Sequence, residues 1–294
     1  MRVALFPDTR SVVVLTAPGE HSSPGEHSPR GAALHRLPRE EELRDLAISL
    51  PPAAWRVSDH RGEQMTGVLL DSAAVEPLLQ EGAGTPAGLI PAVISRRTAA
   101  DTMDILECSQ MNRVYHLTAW NGNTRFCGAC AAPMEWSTVE TAKVCTTCGM
   151  VQYPRINPAV IMAVVREGKL LMARAHRHPE GMFSVLAGFV EAGENLELAV
   201  SREVHEECGL LLRNITYFSS QPWPFPDSLM IAFTAEHAGG EIVLEESEIA
   251  EAGWFGPGEI PPRIPDTYSV ARRLIEWFVS EYGTEAQLRK LLTR

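Results

Sequence analysis

The chain has 294 residues, 45% of them hydrophobic and 21% charged, a length and composition that allow two globular domains. Its formal net charge of −11 argues against nucleic-acid binding driven by phosphate neutralisation alone, and we expect no DNA partner. No apolar run is long enough to span a membrane and the first residues lack a signal-peptide pattern, so we expect a cytoplasmic protein without a membrane partner.

Short β-like runs dominate residues 1–95, at Ser11–Thr16, Trp55–Ser58 and Met65–Leu70, among turns rich in proline and glycine. The segment Gly19–Arg30, where Pro-Gly-Glu-His recurs, is typical of a long loop or a disordered segment. We therefore predict a small N-terminal α/β domain of β-rich character at residues 1–95.

A connecting helix is predicted at residues 96–120. Apolar residues recur in this segment at the three- and four-residue spacing of one helix face. They are Met103, Leu106, Met111, Val114 and Leu117.

Two C-x2-C pairs, separated by 14 residues, lie within the next segment, residues 121–153; they are Cys127, Cys130, Cys145 and Cys148. Four thiolates at this spacing suit the tetrahedral coordination of a structural Zn²⁺ ion, one per chain. An iron–sulfur cluster and two disulfides are the alternatives. Few basic or aromatic residues lie between the cysteine pairs, which favours a structural role for the zinc site over nucleic-acid binding. We expect the other two cysteines, Cys108 and Cys208, to be plain buried side chains.

From Asn157 onward the sequence alternates β-like runs with helical patterns. The predicted strands are Ala159–Val165, Lys169–Arg174, Phe183–Phe189 and Ser228–Glu236, and the predicted helices are Asn195–Cys208 and a C-terminal one from about Thr267. This order predicts an α+β fold, in which residues 154–294 form an α/β/α sandwich with a mixed sheet. The four-cysteine segment, a zinc ribbon at residues 121–153, and the smaller N-terminal domain precede that sandwich.

The most informative stretch is Gly188–Leu210, which reads GFVEAGENLELAVSREVHEECGL. On its predicted helix Glu203, Glu206 and Glu207 stand at positions i, i+3 and i+4, so three carboxylates crowd one face. Their repulsion costs stability unless a hard cation such as Mg²⁺ or Mn²⁺ binds them. The alternative is a solvated acidic helix face with no metal.

Two further residues complete this acidic pattern. Arg202 offers a planar guanidinium fork able to orient a carboxylate, and Glu194 is its natural partner. Metal ions that bridge a diphosphate neutralise its charge and lower the pKa of a bound water. A carboxylate must then accept the proton of that water, and Glu206 and Glu207 are the nearest candidates. The pattern therefore predicts a divalent-metal site with a carboxylate base beside it.

Every fixed position of the pattern G-x5-E-x7-R-E-U-x-E-E-x-G-U, with U aliphatic, is occupied between Gly188 and Leu210. The segment resembles the catalytic loop–helix–loop of Nudix hydrolases. Downstream, Ser220–Ser228 reads SQPWPFPDS and is similar to an array that marks the NADH pyrophosphatase (NudC-type) branch of that family. That branch also has a four-cysteine zinc ribbon before its Nudix domain. On its own, the array predicts a rigid loop with Trp223 and Phe225 as an apolar wall.

The resemblance, which covers roughly residues 115–280, implies metal-dependent hydrolysis of the diphosphate of NADH or NAD⁺, giving NMNH or NMN and AMP. It also implies removal of the NAD cap from RNA 5′ ends, which leaves 5′-monophosphate RNA, by a homodimer whose pocket is shared between subunits. The alternatives are a Nudix hydrolase for another nucleoside diphosphate, such as ADP-ribose, and a non-catalytic nucleotide- or RNA-binding module. The glutamates of the pattern between Gly188 and Leu210, called the Nudix box below, are all intact, which argues against the non-catalytic module.

The resemblance also assigns site residues by position. Glu248 would complete the metal site of the box glutamates, whereas the acidic run Glu245–Glu248 taken alone predicts a solvated turn. Tyr153 and Phe189 would sandwich the nicotinamide ring, although Phe189 taken alone fits core packing equally well. The other substrate-binding candidates, with Glu248 shared by both sets, are Ala187, Gln221, Trp223, Ser228 and Ala271.

Overall fold

The computed structural model describes residues 2–6, 11–16, 35–39, 42–43, 55–58, 64–69, 90–95, 99 and 103–293. Contacts divide the chain into two units, Met1–Arg155 and Ile156–Arg294. In the described part of the chain, no helix is long and apolar enough to cross a membrane. The predicted loop Gly19–Arg30 lies outside the described residues.

The described strands of the first unit's N-terminal part form a six-stranded mixed sheet. Strand β1 pairs in parallel with β5, and the other described pairs of this sheet are antiparallel. Two of the predicted β runs are confirmed and the third is shifted by one residue, to Gln64–Leu69. The strands are β1 (Arg2–Phe6), β2 (Ser11–Thr16), β3 (His35–Arg36), β4 (Trp55–Ser58), β5 (Gln64–Leu69) and β6 (Ile90–Ser95).

Helix α1 spans Ile105–Asn123, so it begins later than the predicted segment 96–120. The cause is Asp104, whose carboxylate accepts hydrogen bonds from two backbone N–H groups of the first turn and caps the helix there. Four members of the predicted apolar face lie buried and one, Leu106, is half-buried. The buried four are Met103, Met111, Val114 and Leu117.

A three-stranded antiparallel sheet follows, made of β7 (Met134–Trp136), β8 (Lys143–Cys145) and β9 (Val151–Gln152). Lys143 connects this small sheet to the end of helix α1. Its ammonium is buried beside the rings of Trp120 and Trp136 and donates to the backbone carbonyl oxygens of Asn121 and Thr124, at 3.1 and 2.7 Å. A cation at this position satisfies carbonyl groups that the helix C-terminus leaves without intrahelical partners.

The second unit contains a mixed sheet in the order β13-β14-β10-β11-β15, with β12 paired to β10. Strands β10 and β14 run parallel, while the other described pairs of the sheet are antiparallel. The strands are β10 (Asn157–Arg166), β11 (Lys169–Ala175), β12 (Leu186–Phe189), β13 (Leu211–Trp223), β14 (Ser228–Gly239) and β15 (Ile249–Phe255). The described helices of this unit are α2 (Leu196–Cys208), α3 (Val270–Tyr282) and α4 (Glu285–Leu292).

The apolar residues of β10 supply both cores of the second unit, because successive side chains point to opposite faces of a strand. Ile161 and Ala163 belong to the core that contains Phe278 of helix α3. Val160 and Met162 belong to the other core, which contains Val200, Val204 and Cys208 of helix α2. The sheet is therefore covered by α2 on one face and by α3 on the other, which confirms the predicted α/β/α sandwich.

Strand β13 corrects the interpretation of the proline-rich array as a rigid loop. Ser220 to Trp223 belong to this strand and pair with the start of β14, down to Trp223 opposite Ser228. The turn is confined to residues 224–227. Edge-strand pairing tolerates Pro222, since its missing N–H need not face a partner.

Candidate functional site

The four cysteines converge at one corner of the ribbon, and their sulfur atoms all lie within 4.8 Å of one another. Three of the Sγ–Sγ distances are 3.7, 3.4 and 3.6 Å. Four sulfurs about 2.3 Å from a tetrahedral zinc ion stand ~3.8 Å apart, so the arrangement fits Zn²⁺. None of the six cysteines forms a disulfide, which excludes that alternative, and Cys108 and Cys208 are buried as predicted.

Backbone amides of the two C-x2-C turns prepare two of the four sulfur atoms for a metal ion. Amides of Ala129 and Cys130 lower the pKa of the Cys127 thiol. Amides of Cys148 and Thr147 lower the pKa of Cys145 to about 6. Zinc binds the thiolate form, so a lowered pKa favours binding at neutral pH.

Helix α2 places the box carboxylates on one face of the second unit. Asn195 caps its start by accepting from the N–H of Leu198 at 2.8 Å, and Gly209 ends it in the left-handed conformation with φ of 70°. Gly188, on the adjacent strand β12, has no room for a side chain, because a Cβ atom there would overlap the Glu203 carboxylate. The close approach of β12 to α2 therefore explains the glycine of the motif.

Arg202 is the centre of a charged network, and its partners use every nitrogen of the guanidinium group. Nε donates to Glu194 at 2.6 Å, and Nη2 donates to the same carboxylate at 3.0 Å and to the Phe189 carbonyl oxygen at 2.8 Å. Nη1 donates to Glu203 and to Glu206, both at 2.9 Å. The predicted fork between Arg202 and Glu194 is thus present, and the hydrogen bond to Arg202 lowers the pKa of Glu194.

Glu207 is the most buried carboxylate of the cluster, with 8% of its surface exposed. Its Oε2 atom has no hydrogen-bond partner among the described residues. Burial, reinforced by repulsion from Glu203 and Glu248, raises the pKa of Glu207 to about 8. Burial also raises the pKa of Glu203, against the opposing effect of Arg202. Carboxylates with a raised pKa are typical of functional sites, where binding of a cation stabilises their charged form.

Glu248 lies on an exposed turn between β14 and β15. Its N–H donates to the Glu245 side chain at 3.0 Å, and the Glu245 N–H donates to the carbonyl oxygen of Glu207 at 3.1 Å. The turn is therefore attached to the end of helix α2. Within the described part of the chain, no three carboxylates converge as closely as the cysteines do.

The two candidate ring-stacking residues belong to different units, and each is exposed within its own. Tyr153 is 57% exposed and donates its hydroxyl to Glu140 at 3.0 Å, a contact that raises its pKa. Phe189 is 58% exposed at the end of β12, so the core-packing interpretation of this residue is wrong. Exposed aromatic rings are available for a flat ligand.

Most other substrate-binding candidates have contacts within the protein itself. Gln221 accepts from the Val270 N–H at 2.7 Å and donates to the Tyr268 carbonyl oxygen at 2.8 Å, so its amide holds the start of helix α3. Ala271 is buried in the apolar core, and Ser228 is buried in the β13–β14 pairing. Ala187 lies half-buried on β12 opposite Ile161.

Trp223 stacks on Tyr268 with ring centroids 6.0 Å apart and contacts Phe225 at 5.0 Å. The expected apolar wall is present, but it includes Tyr268, which the sequence analysis missed. The sequence gives no signal for that contact, because the two rings are 45 positions apart and meet only through the packing of α3 on the sheet.

A polar cleft of about 620 Å³ lies away from these residues and includes none of them. Its arginines already have partners, since Arg213 pairs with Glu236 at 3.1 Å and Arg166 with Glu241 at 3.6 Å. Arg166 also stacks over the ring of Trp254. The positively charged side chains of the cleft are therefore already paired.

Comparison with known proteins identifies two domains. Residues 155–278 match the Nudix domain family, and residues 123–153 match the family described as the NADH pyrophosphatase zinc ribbon domain. The chain therefore contains a Nudix domain preceded by a zinc ribbon of this type, and the four-cysteine cluster is its structural zinc site.

Curated relatives include proteins named NAD-capped RNA hydrolase NudC from Salmonella heidelberg (strain SL476) and Salmonella typhi. Each is 51% identical over 152 residues, which are 52% of this chain and 59% of the relative. The chain thus matches somewhat more than half the length of these relatives. A solved Nudix hydrolase from Nitrosomonas europaea is similar with a TM-score of 0.47 and 21% identity, over 54% of this chain and 94% of that chain.

Proposed function

We propose that this Nudix-domain protein hydrolyses the diphosphate of NADH and NAD⁺, giving NMNH or NMN and AMP, and removes the NAD cap from RNA 5′ ends. The observation that supports it most is the carboxylate cluster of helix α2, with the buried and unpartnered Oε2 atom of Glu207 at its centre. The relatives named NAD-capped RNA hydrolase support the choice of substrate.

The donor set suits Mg²⁺ or Mn²⁺, because both prefer carboxylate oxygen atoms. Glu203, Glu206, Glu207 and Glu248 are the residues that would hold the ion. The unpartnered oxygen of Glu207 and its raised pKa both fit a carboxylate built to face a cation. When bound, such an ion supplies charge neutralisation of the diphosphate and a lowered pKa for water.

The residues of the cluster differ in their proposed roles. Arg202 and Glu194 brace the network and fix the orientation of the Glu203 carboxylate. The Glu206 side chain is 56% exposed, whereas that of Glu203 is 12% exposed. We assign Glu206 as the base that accepts a proton from water at a carboxylate oxygen, because its side chain is more accessible to solvent than those of Glu203 and Glu207.

The nicotinamide end of the substrate is assigned to exposed aromatic rings. Phe189 provides a flat surface that accepts the nicotinamide ring in either redox state. The exposed ring of Tyr153, within the first unit, is a second candidate. Trp223 extends an apolar wall with Tyr268. Gln221, Ser228, Ala187 and Ala271 are further proposed substrate-binding residues, and the amide of Gln221 also holds the start of helix α3.

We also propose a homodimer in the reducing environment of the cytoplasm. The ribbon has exposed apolar side chains of the kind that a subunit interface covers, among them Phe126, Val139, Met150 and Val151. Zinc-binding thiols persist in such a compartment.

Light scattering of the purified chain should give a mass near twice 32.3 kDa. A monomeric mass would contradict the dimer.

Chromatography of the products tests the proposed function. We expect NADH to yield NMNH and AMP in equal amounts with Mg²⁺ or Mn²⁺, and no products in buffer without either ion. Omission is preferable to a chelator, because a chelator also removes zinc from the ribbon. Cleavage of neither NADH nor NAD⁺ would contradict the proposal. Preferred cleavage of ADP-ribose would favour a Nudix hydrolase for another nucleoside diphosphate.

A further inference from the structure

The loop between β11 and β12 is attached to the acidic turn that contains Glu248. The N–H of His176 donates to the Glu248 carbonyl oxygen at 3.0 Å, and its Nε2 donates to the Glu246 carbonyl oxygen at 3.0 Å. At the other end of the loop, Arg263 donates to the carbonyl oxygen of Glu180 at 3.0 Å. Residues 176–180 are therefore fixed at both ends.

Arg177 lies in this fixed loop with its side chain exposed. In residues 103–293 and the described strands, its guanidinium has no hydrogen bond and no ion pair. Its charge nevertheless reaches the cluster. Its neighbour in the chain, His176, donates hydrogen bonds to the backbone of Glu246 and Glu248, so Arg177 lies beside the acidic turn of the proposed metal site. Arg177 is thus an unengaged cation within electrostatic range of the proposed metal site.

Arg202 cannot take the role of a phosphate-binding cation. Each of its three guanidinium nitrogens already donates to a carboxylate, and Nη2 also donates to a backbone carbonyl oxygen. A substrate phosphate would have to displace Glu194, Glu203 or Glu206 to reach it. A diphosphate that approaches four carboxylates is bound more tightly when the protein adds positive charge to that of the ion, and the loop of Arg177 offers such a charge.

We propose that Arg177 binds the substrate diphosphate directly and contacts its non-bridging oxygens. A guanidinium group matches the geometry of two phosphate oxygens, and its charge stabilises the negative charge that develops as the bridging P–O bond breaks. This inference rests on the proposed function and adds to it a substrate-contacting residue outside the Nudix motif.

The variants Arg177→Ala and Arg177→Lys test this assignment, with Arg213→Ala as the control. Arg213 is an exposed arginine of the same unit whose partner is Glu236, away from the cluster. With saturating Mg²⁺, we expect kcat/KM for NADH to fall by at least ~30-fold in Arg177→Ala. Arg177→Lys should keep part of the activity, and Arg213→Ala should keep all of it, with the melting temperature of each variant unchanged.

A second substrate separates phosphate binding from recognition of the nicotinamide ring. Arg177→Ala should lose the same factor with ADP-ribose as with NADH, because both contain the diphosphate. Phe189→Ala should lose more with NADH than with ADP-ribose. Unchanged kcat/KM in Arg177→Ala, or a loss confined to NADH, would overturn the role of Arg177 while the proposed function stands. An inactive wild-type protein would overturn the proposed function itself.

Discussion

Glu207 illustrates how a single residue combines a structural cost with a proposed function. Its side chain lies in the last turn of α2, between the apolar core and the other carboxylates, and its pKa is raised to about 8. A buried carboxylate without a cation destabilises a fold, so retaining it needs a reason other than stability. The proposed divalent ion provides that reason.

Replacement of Glu207 by glutamine tests its role in turnover. Glu207→Gln keeps the shape of the side chain but removes the charge, so we expect kcat for NADH to fall by ~100-fold or more. The melting temperature should not decrease, because a neutral amide relieves the repulsion within the cluster. Glu197→Gln is a matched control, since Glu197 is exposed in the first turn of the same helix. Near-normal turnover in Glu207→Gln would remove this residue from the site.

The raised pKa of Glu207 also predicts how stability depends on pH in buffer without Mg²⁺ or Mn²⁺. The folded protein keeps a proton on Glu207 up to about pH 8, whereas an ordinary glutamate releases it near pH 4.5. Between these values the folded state binds more protons, so the free energy of unfolding falls as pH rises. The fall in melting temperature from pH 5.5 to 9 should be smaller in Glu207→Gln than in wild type. Equal falls would contradict the raised pKa.

At the scale of elements, the sequence predicted those with regular patterns. Helix α2 was predicted to within one residue because Asn195 and Gly209 cap it and its apolar residues recur at helical spacing. Strand β13 was missed because three register shifts interrupt its pairing with β14 and break the alternation of side chains. The start of α1 was misplaced because an apolar stripe says nothing about where Asp104 caps the helix.

The zinc ribbon allows a stability prediction at the same scale. Cys127→Ser removes one of four thiolates, and the sheet of β7, β8 and β9 is too small to fold on its own core. We expect a lower melting temperature and less than one zinc ion per chain by elemental analysis. Cys108→Ser, a buried cysteine outside the quartet, is the control and should keep its zinc. A normal melting temperature with full loss of zinc would contradict a structural role.

At the scale of the whole molecule, the α/β/α sandwich and the zinc site were predictable, whereas much of the site was not. Sequence spacing identified the carboxylates of α2 because they lie on one helix. It could not identify Arg177 or Tyr268, whose contacts depend on segments far apart in the chain. It also could not show that the side-chain amide of Gln221 is hydrogen-bonded to the backbone at the start of α3.

The central claim is that this chain hydrolyses the diphosphate of nicotinamide dinucleotides at the carboxylates of α2. A direct measurement is kcat/KM for NADH, NAD⁺, ADP-ribose and an NAD-capped RNA, side by side, for wild type and Glu207→Gln. We predict that wild type prefers the three nicotinamide substrates to ADP-ribose and that Glu207→Gln loses activity with all four. A preference for ADP-ribose, or no activity on any of the four with Mg²⁺ or Mn²⁺ present, would contradict the account.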